Sequence, residues 1–355
     1  MSSTTEVRAG EDFARLTDPF RRELLAHCYR MLGSIHEAED LVQETYLLAW
    51  RAYGDFEGQS SLRTWLYKIA TRACLKALER GTRRPLPSGL AGPSADPNVD
   101  PPQPETLWLQ PFPDTLLAPD PADTVESRHT TRLAFAAALQ HLPPRQRAVL
   151  LLRDVLAWQA AEVAQLLNTT TASVNSSLQR ARAQLAAADP VEDKVMEPAD
   201  PDRRALVDNY AKAFEDADIP TLMRLLTDDA VFEMPPIPTW FAGRDNVGAF
   251  LATRLRTPNA MRMVPTSANG QPAFAVYMRQ DDGEHHAHAI LVLTLAGSRI
   301  SRITMFHDPH LFPTFGMPNR AQTPKPQTKN PATVETNQSA SSNQGKCPPP
   351  AKVTS

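Results

Sequence analysis

The feature that most limits how this chain folds is a stretch that cannot form regular structure. Residues 81–127 hold 11 of the 33 prolines, in PLPSGLAGPSADPNVDPPQPE and PFPDTLLAPDP. Proline fixes φ and has no N–H to donate, so neither a helix nor an inner strand survives that density. The stretch is therefore a linker between bodies that each need a core. With 355 residues, 42% of them hydrophobic, the chain has material for two or three domains. Within the linker, WLQPFPDTLL is apolar enough to dock on a neighbouring surface.

On either side the patterns are regular. Residues 11–80 read as all-helical: ELLAHCYRML, EAEDLVQETYLLAWRAY and SLRTWLYKIATRACLKALER repeat apolar residues at three and four. GSIHEAED reads as a turn and an acid-rich helix start, which suits the positive end of the helix dipole. Residues 128–188 return to helix, with RLAFAAALQHL stopping at Pro143-Pro144, then RQRAVLLLRDVL, AAEVAQLL and ASVNSSLQRARAQLAA. A short acidic hinge follows at 189–202. Residues 203–315 are α+β: RALVDNYAKAFED and IPTLMRLL are helical, and AVFEM, AFAVYM, HAHAILVLTL and RISRITMF are strand-like. Residues 318–355 are nearly free of large apolar side chains and are expected to be disordered.

The net charge of -3 hides a segregation. Residues 60–84 carry seven Lys/Arg and one acid, Glu79, whereas residues 85–127 carry seven acids and no Lys or Arg. Lys68, Arg72, Lys76 and Arg80 recur every four residues on one helix. That row is about 18 Å long. One nucleic-acid strand places a phosphate roughly every 3.4 Å, so the row matches several. Trp65 and Tyr67 just ahead of it offer stacking faces for unpaired bases, at about 1–3 kcal/mol per base. The plainer alternative is a solvated basic face with both aromatics in the core.

A second nucleic-acid signal is the helix-turn-helix form of AAEVAQLLNTTTASVNSSLQRARAQL. Asn168 suits the left-handed end of the first helix, and Thr170 or Thr171 caps the second. Val174, Leu178, Ala181 and Leu185 point inward, leaving Ser173, Asn175, Ser176, Gln179, Arg180 and Arg182 outward. Short polar residues early in such a helix suit base edges, and later arginines suit phosphates. An ordinary helical hairpin is the alternative.

Cys28, Cys74 and Cys347 form neither a disulfide framework nor a zinc spacing, and the first two read as buried thiols. No secretory leader and no run approaching about 18 apolar residues is present, so a cytoplasmic protein without a membrane partner is expected. In the C-terminal body, Trp240, Phe241, Tyr277 and Phe306 suit core or pocket, and Trp240, Tyr277 and His286 form the candidate pocket. EHHAH at 284–288 places His286 and His288 on one strand face, with His307 and His310 later, but no convergent metal set is read from them. Glu233, Asp245 and Tyr277 are the parts an isomerase-like site would need, and their spacing selects none of them.

HEAEDLVQETYLLAWR, FEGQSSLRTWLYKIATRACLKAL and LPPRQRAVLLLRDVLAWQAAEVAQLLNTTTASVNSSLQRAR strongly resemble bacterial sigma factors of the extracytoplasmic-function (ECF) group of the sigma-70 family. MPPIPTWFAGRD, ANGQPAFAVY and FPTFGMP look like the SnoaL-like (NTF2-like) extension of some members. The resemblance implies a multi-domain chain: two all-α sigma domains, a helical bundle at 11–84 and a helix-turn-helix at 128–188, then an α+β cone at 203–315. It implies core RNA polymerase and promoter DNA as partners and no cofactor, metal or catalysis. By the same resemblance Asp40, Gln43, Glu44 and Trp50 bind core polymerase, and Arg63, Trp65, Lys68, Arg72 and Lys76 hold the −10 element as it melts. Thr171, Ser173, Asn175, Ser176, Gln179, Arg180 and Arg182 read the −35 element. Many relatives carry basic residues where this chain has Asn175 and Ser177, which shifts affinity toward polymerase recruitment. The resemblance further implies that the linker's acids suit the basic active-centre cleft and that the cone modulates activity in cis, with a small ligand in prospect. A ligand-responsive helix-turn-helix regulator, or an NTF2-like enzyme with a DNA-binding appendage, are the alternatives. The first leaves the AEDLVQET helix and the basic helix without a role, and copurification with core polymerase separates both from a sigma factor.

Overall fold

The computed structural model describes residues 12–56, 58, 60–79, 83–117, 132–187 and 201–321. Arg80, Cys347, the hinge at 189–200, the end of the linker from 118 and the tail from 322 lie outside the described residues.

The N-terminal bundle is built from α1 (Arg21–Leu32), α2 (Ile35–Ala52) and α3 (Leu62–Leu78). Gly33 ends α1 at φ 74, and a Cβ there would meet the Gln140 side chain at 2.9 Å. Glycine is required at that point both for the left-handed turn and for the close approach. Ser34 then caps α2, its hydroxyl accepting from the Glu37 N–H at 3.3 Å. Ser61 caps α3 in the same way through Thr64 at 3.1 Å. Cys28 and Cys74 are both buried, as their apolar surroundings in sequence require.

The second helical set comprises α4 (Leu133–Gln140), α5 (Pro144–Leu150), α6 (Ala160–Leu166) and α7 (Thr171–Ala187), with a π turn over Leu151–Val155 after α5. Asn168 is left-handed at φ 50, and Thr170 Oγ1 accepts from the Ser173 N–H at 3.1 Å, so the helix-turn-helix has the turn its sequence specifies.

The C-terminal body holds α8 (Pro201–Glu215), α9 (Ile219–Leu225), β1 (Leu226–Met234), β2 (Ile237–Ala242), α10 (Arg244–Arg254), β3 (Met261–Ala268), β4 (Gln271–Arg279), β5 (His285–Ala296), β6 (Arg299–Phe306) and a final turn, α11 (Leu311–Thr314). The sheet order is β2-β1-β6-β5-β4-β3, with β1 and β6 parallel and the other pairs antiparallel. Both faces of its centre are buried. Phe274, Val276, Ala289, Leu291 and Leu293 face a core shared with α8 and α10. Ala273, Ala275, Tyr277, Ile290 and Val292 alternate with them on the other face, in a core shared with the N-terminal bundle, the linker and α4–α7. Strands buried on both faces read as continuous apolar runs, which is what AILVLTL over 289–295 is.

The linker follows that second face. Trp108, Leu109 and Phe112 are buried, so WLQPFPDTLL does dock. With few strand partners of its own, it is held by bonds to other segments: Ser94 N–H to the Trp240 carbonyl at 2.8 Å, Gln103 N–H to Pro236 at 2.9 Å and Gln110 N–H to Gly33 at 2.9 Å.

Candidate functional site

Helix α2 presents one exposed stripe. Asp40, Gln43, Glu44 and Leu47 lie at helical spacings of three, one and three on its outer side, while Ala38, Val42, Thr45 and Ala49 are buried. Leu47 is 58% exposed and Trp50 39%, the latter with its ring edge against Phe13. An acidic stripe ending in exposed leucines and a tryptophan has the chemistry to meet a partner with both cations and apolar side chains. Leu47 and Leu48 were absent from the sequence-based set; two leucines falling on the charged face were the signal.

On α3, Arg72 and Lys76 are exposed and Lys68 is half-buried, and the three make no ion pair among the described residues. Arg63 is different. Its guanidinium donates to Glu23 from Nη2 at 2.7 Å and from Nε at 2.9 and 3.0 Å, and stacks over Tyr67 with 5.0 Å to the ring centre. The Glu23 bond raises the Arg63 pKa. Trp65 is half-buried, 4.8 Å from the Phe56 ring. Tyr67, expected beside Trp65 as a stacking face, is turned inward at 2% exposure. It belongs to the α3 face carrying Ala70, Thr71 and Cys74, three, four and seven residues on, and that face is the core.

Helix α7 buries Val174, Leu178 and Ala181 and exposes Thr171, Ser173, Asn175, Ser176, Gln179, Arg180 and Arg182. Three of these are engaged locally: Arg182 forms a bidentate pair with Asp154 at 2.7 and 2.9 Å, and Arg180 donates to Ser176 at 3.0 Å. The outward set lies on one accessible helix face, with the arginines after the short polar residues.

The two helical sets touch. Tyr67 of α3 and Trp158 meet edge to face at 6.5 Å. Arg147, 2% exposed, donates to the Met31 carbonyl at the end of α1 and to Gln140 Oε1 at 2.8 Å. A cation on the last carbonyls of a helix is favourable, although burial lowers the Arg147 pKa to about 10.

A junction joins these sets to the sheet. The β3–β4 turn is Asn269-Gly270, both left-handed at φ 56 and 68. Asn269 is fully buried. Its backbone N–H donates to the Phe112 carbonyl, and its Oδ1 accepts from the Phe112 N–H, each at 2.8 Å. Its Nδ2 donates to the Tyr29 hydroxyl at 3.1 Å. Farther along, the wholly buried Glu233 carboxylate accepts from Arg302 at 2.8 Å, from Thr304 at 3.2 Å and from the Ser88 N–H of the linker at 3.2 Å. Leu133 N–H of α4 donates to Gln271 at 3.2 Å.

Trp240, Tyr277 and His286 have different partners. Trp240 lines a space of about 530 Å3 between the linker, α4 and the sheet, and its Nε1 donates to Ala91 at 2.8 Å. Tyr277 donates to the Pro318 carbonyl at 3.0 Å and abuts Phe312. His286 lies against Asp282 at 2.7 Å. Asp245 sits in the first turn of α10. Among the described residues no group of three metal-ligating side chains converges. No helix among them is long and apolar enough to cross a membrane.

Residues 16–84 match the Sigma-70 region 2 family, 132–185 the Sigma-70, region 4 family and 207–303 the SnoaL-like domain family. The chain is 51% identical over 313 residues to the ECF RNA polymerase sigma factor SigG of Mycobacterium tuberculosis, covering 87% of this chain and 84% of the relative. It is 28% identical over 182 residues to the ECF RNA polymerase sigma factor SigW of Bacillus subtilis, covering 50% of this chain and 89% of that one. The crystal structure of the Mycobacterium tuberculosis extracytoplasmic function sigma factor SigJ superposes with a TM-score of 0.57 at 23% identity, over 84% of this chain and 97% of that one, a likeness of fold. An exposed acidic-apolar stripe, a cationic helix, a helix-turn-helix and a cone, in this order and with these matches, make the chain a member of the ECF sigma-70 family of RNA polymerase sigma factors, non-catalytic transcription factors, with a SnoaL-like C-terminal domain.

Proposed function

We propose that this sigma factor, which binds core RNA polymerase and recognises promoter DNA, is kept by its SnoaL-like domain in a closed arrangement that opens before both promoter elements are read. One observation carries the reading: Tyr67 and Trp158, on the bodies assigned to the −10 and −35 elements, are 6.5 Å apart. Elements about 25 base pairs apart are separated by roughly 85 Å of B-DNA. The exposed faces of α3 and α7 are accessible, so the constraint is their spacing and not their coverage.

In this reading residues 11–84 form region 2, 85–127 the linker, 128–188 region 4, 203–315 the regulatory cone and 318–355 a tail. Asp40, Gln43, Glu44 and Trp50 meet the polymerase, joined by Leu47. Lys68, Arg72 and Lys76 take the −10 phosphates and Trp65 a base during melting, while Arg63 reaches DNA only by leaving Glu23. Thr171, Ser173, Asn175, Ser176, Gln179, Arg180 and Arg182 meet the −35 element. In the same reading the protein acts on the chromosome and is cytoplasmic. A small ligand of the cone is part of the same reading.

The cone acts through the linker, which it holds at Asn269, Glu233 and Thr239. Run-off transcription with core polymerase tests this, comparing full-length protein, a chain ending at Asp189 and full-length Asn269→Gly. Higher output from Asn269→Gly, and altered output from the shortened chain, are expected. Equal output from all three ends the reading.

A further inference from the structure

The interior of the cone is hollow. A cavity of about 320 Å3 lies between α8, α10 and the sheet. That is at the small end of the roughly 300–1,000 Å3 usual for ligand pockets. Phe214, Phe232, Met234, Met278 and Met305 are among its walls, apolar and, at the methionines, adaptable.

Its polar equipment is sparse and one-sided. The ionisable residues in its lining are Arg254, His288 and His307, and no acid lines it. The two imidazoles meet edge to face at 4.8 Å. Burial lowers both of their pKa values, that of His307 to about 3 with help from His288 and Arg254, so at neutral pH both rings are uncharged hydrogen-bonding groups. Arg254 is exposed at the cavity's edge, 5.6 Å over the Phe250 ring, and forms no ion pair among the described residues. A single cation suits a monoanion; a phosphate ester would call for more donors.

One wall comes from outside the cone. Val99 of the linker lines the cavity. The next residue is fixed to β2: the Asp100 N–H donates to Thr239 Oγ1 at 2.9 Å, and the Thr239 hydroxyl donates to the Asp100 carboxylate at 2.8 Å. The cavity is therefore complete only while the linker is docked.

We propose that this cavity binds a small apolar monocarboxylic acid, its tail among the phenylalanines and methionines and its carboxylate at Arg254, and that the bound acid holds the linker down through Val99. A molecule that contacts Val99 binds the docked state better than the released one and shifts the equilibrium by that difference. Binding stands on the cavity alone; its effect on transcription rests on the closed arrangement proposed above.

The test uses full-length protein with decanoate as probe and 1-decanol as its uncharged counterpart. Calorimetry is expected to show one decanoate site and binding of decanol at least about tenfold weaker. Arg254→Met should erase that preference, and Met305→Trp, which fills the cavity, should abolish both. Met278→Phe is a milder filler should Met305→Trp not fold. At ten times Kd, decanoate should slow protease cleavage in the linker about tenfold, and not in the filled variants. Decanoate binding that survives the filled cavity, or linker cleavage unchanged at saturation, overturns the inference. If decanoate fails to bind while Asn269→Gly still raises transcription, only this inference falls. If decanoate protects the linker while transcription is indifferent to it and to Asn269→Gly, the closed-arrangement reading falls and the site stands.

Discussion

The Tyr29 hydroxyl donates to the Gln110 carbonyl at 2.8 Å and accepts from Asn269 Nδ2 at 3.1 Å, so one side chain joins region 2, the linker and the hairpin tip of the cone. Burial raises its pKa far above the usual phenol value, and it stays a neutral donor at any physiological pH. Tyr29→Phe removes the shared group and leaves a buried carbonyl and carboxamide each short of a bond. The expected cost is about 1–3 kcal/mol. It is measured as a lower urea midpoint and faster linker proteolysis. Asn269→Gly keeps the left-handed turn and loses the side-chain bonds, so it should act in the same direction.

Lys68, Arg72 and Lys76 have no competing partner among the described residues, whereas Arg63 is committed to Glu23. Replacing the three together with alanine should lower the salt dependence of promoter binding by about 2–3 in log–log slope. Electrophoretic or anisotropy titrations over a salt series with holoenzyme measure it. Glu23→Gln should leave that slope intact or raise it by releasing Arg63.

Asn175 and Gln179 stand on the exposed face of α7, while Arg182 is held by Asp154. Gln179→Ala should cost about 1–3 kcal/mol at one −35 position and relax the base preference there. Arg182→Ala should weaken all −35 sequences alike. Competition binding against single-base variants of the element separates the two patterns.

His27 is fully buried with Nε2 3.0 Å from Thr71 Oγ1, and its pKa is lowered to about 3 by burial, with Arg30 adding to the effect. His307 is lowered to about 3 for the same main reason. The ordinary value is 6.5. Between these values the unfolded chain takes up a proton that the folded chain refuses. Stability is thus complete above the ordinary value and declines as pH falls toward the folded one, by about 1.4 kcal/mol per pH unit per group. Urea midpoints at pH 7 and pH 5 should differ by an amount that His27→Gln reduces.

The helical half was legible because each helix carries its own signals. Ser34, Ser61 and Thr170 cap where they stand in sequence, and the inward set of α7 follows from spacing alone. The strands that pattern reading missed, β2 and β3, are the two edges of the sheet, and Pro238 and Pro265 interrupt them. Proline is tolerated at an edge and argues against a strand everywhere else. Helix α10 was missed because Gly248 weakens its pattern; a Cβ there would meet Met223 Sδ at 2.7 Å, so packing against α9 sets that residue. Trp240, Tyr277 and His286 could not be placed from sequence, since alternation says that residues share a face and not which of two buried faces it is. The docking of the linker was signalled by WLQPFPDTLL, but its partner, Asn269, looks like an ordinary hairpin turn until the fold brings it to Phe112.

In the proposed closed arrangement, regions 2 and 4 sit together in the free protein and part on the promoter. The most direct measurement is the distance between spin labels at E79C and Q165C, both exposed positions, with Cys347 replaced and the buried Cys28 and Cys74 left in place. A short, narrow distribution is expected in the free chain, moving outward by tens of Å in the open complex toward the roughly 85 Å between the two elements. A distribution already long in the free protein, or one that does not move when the open complex forms, contradicts it.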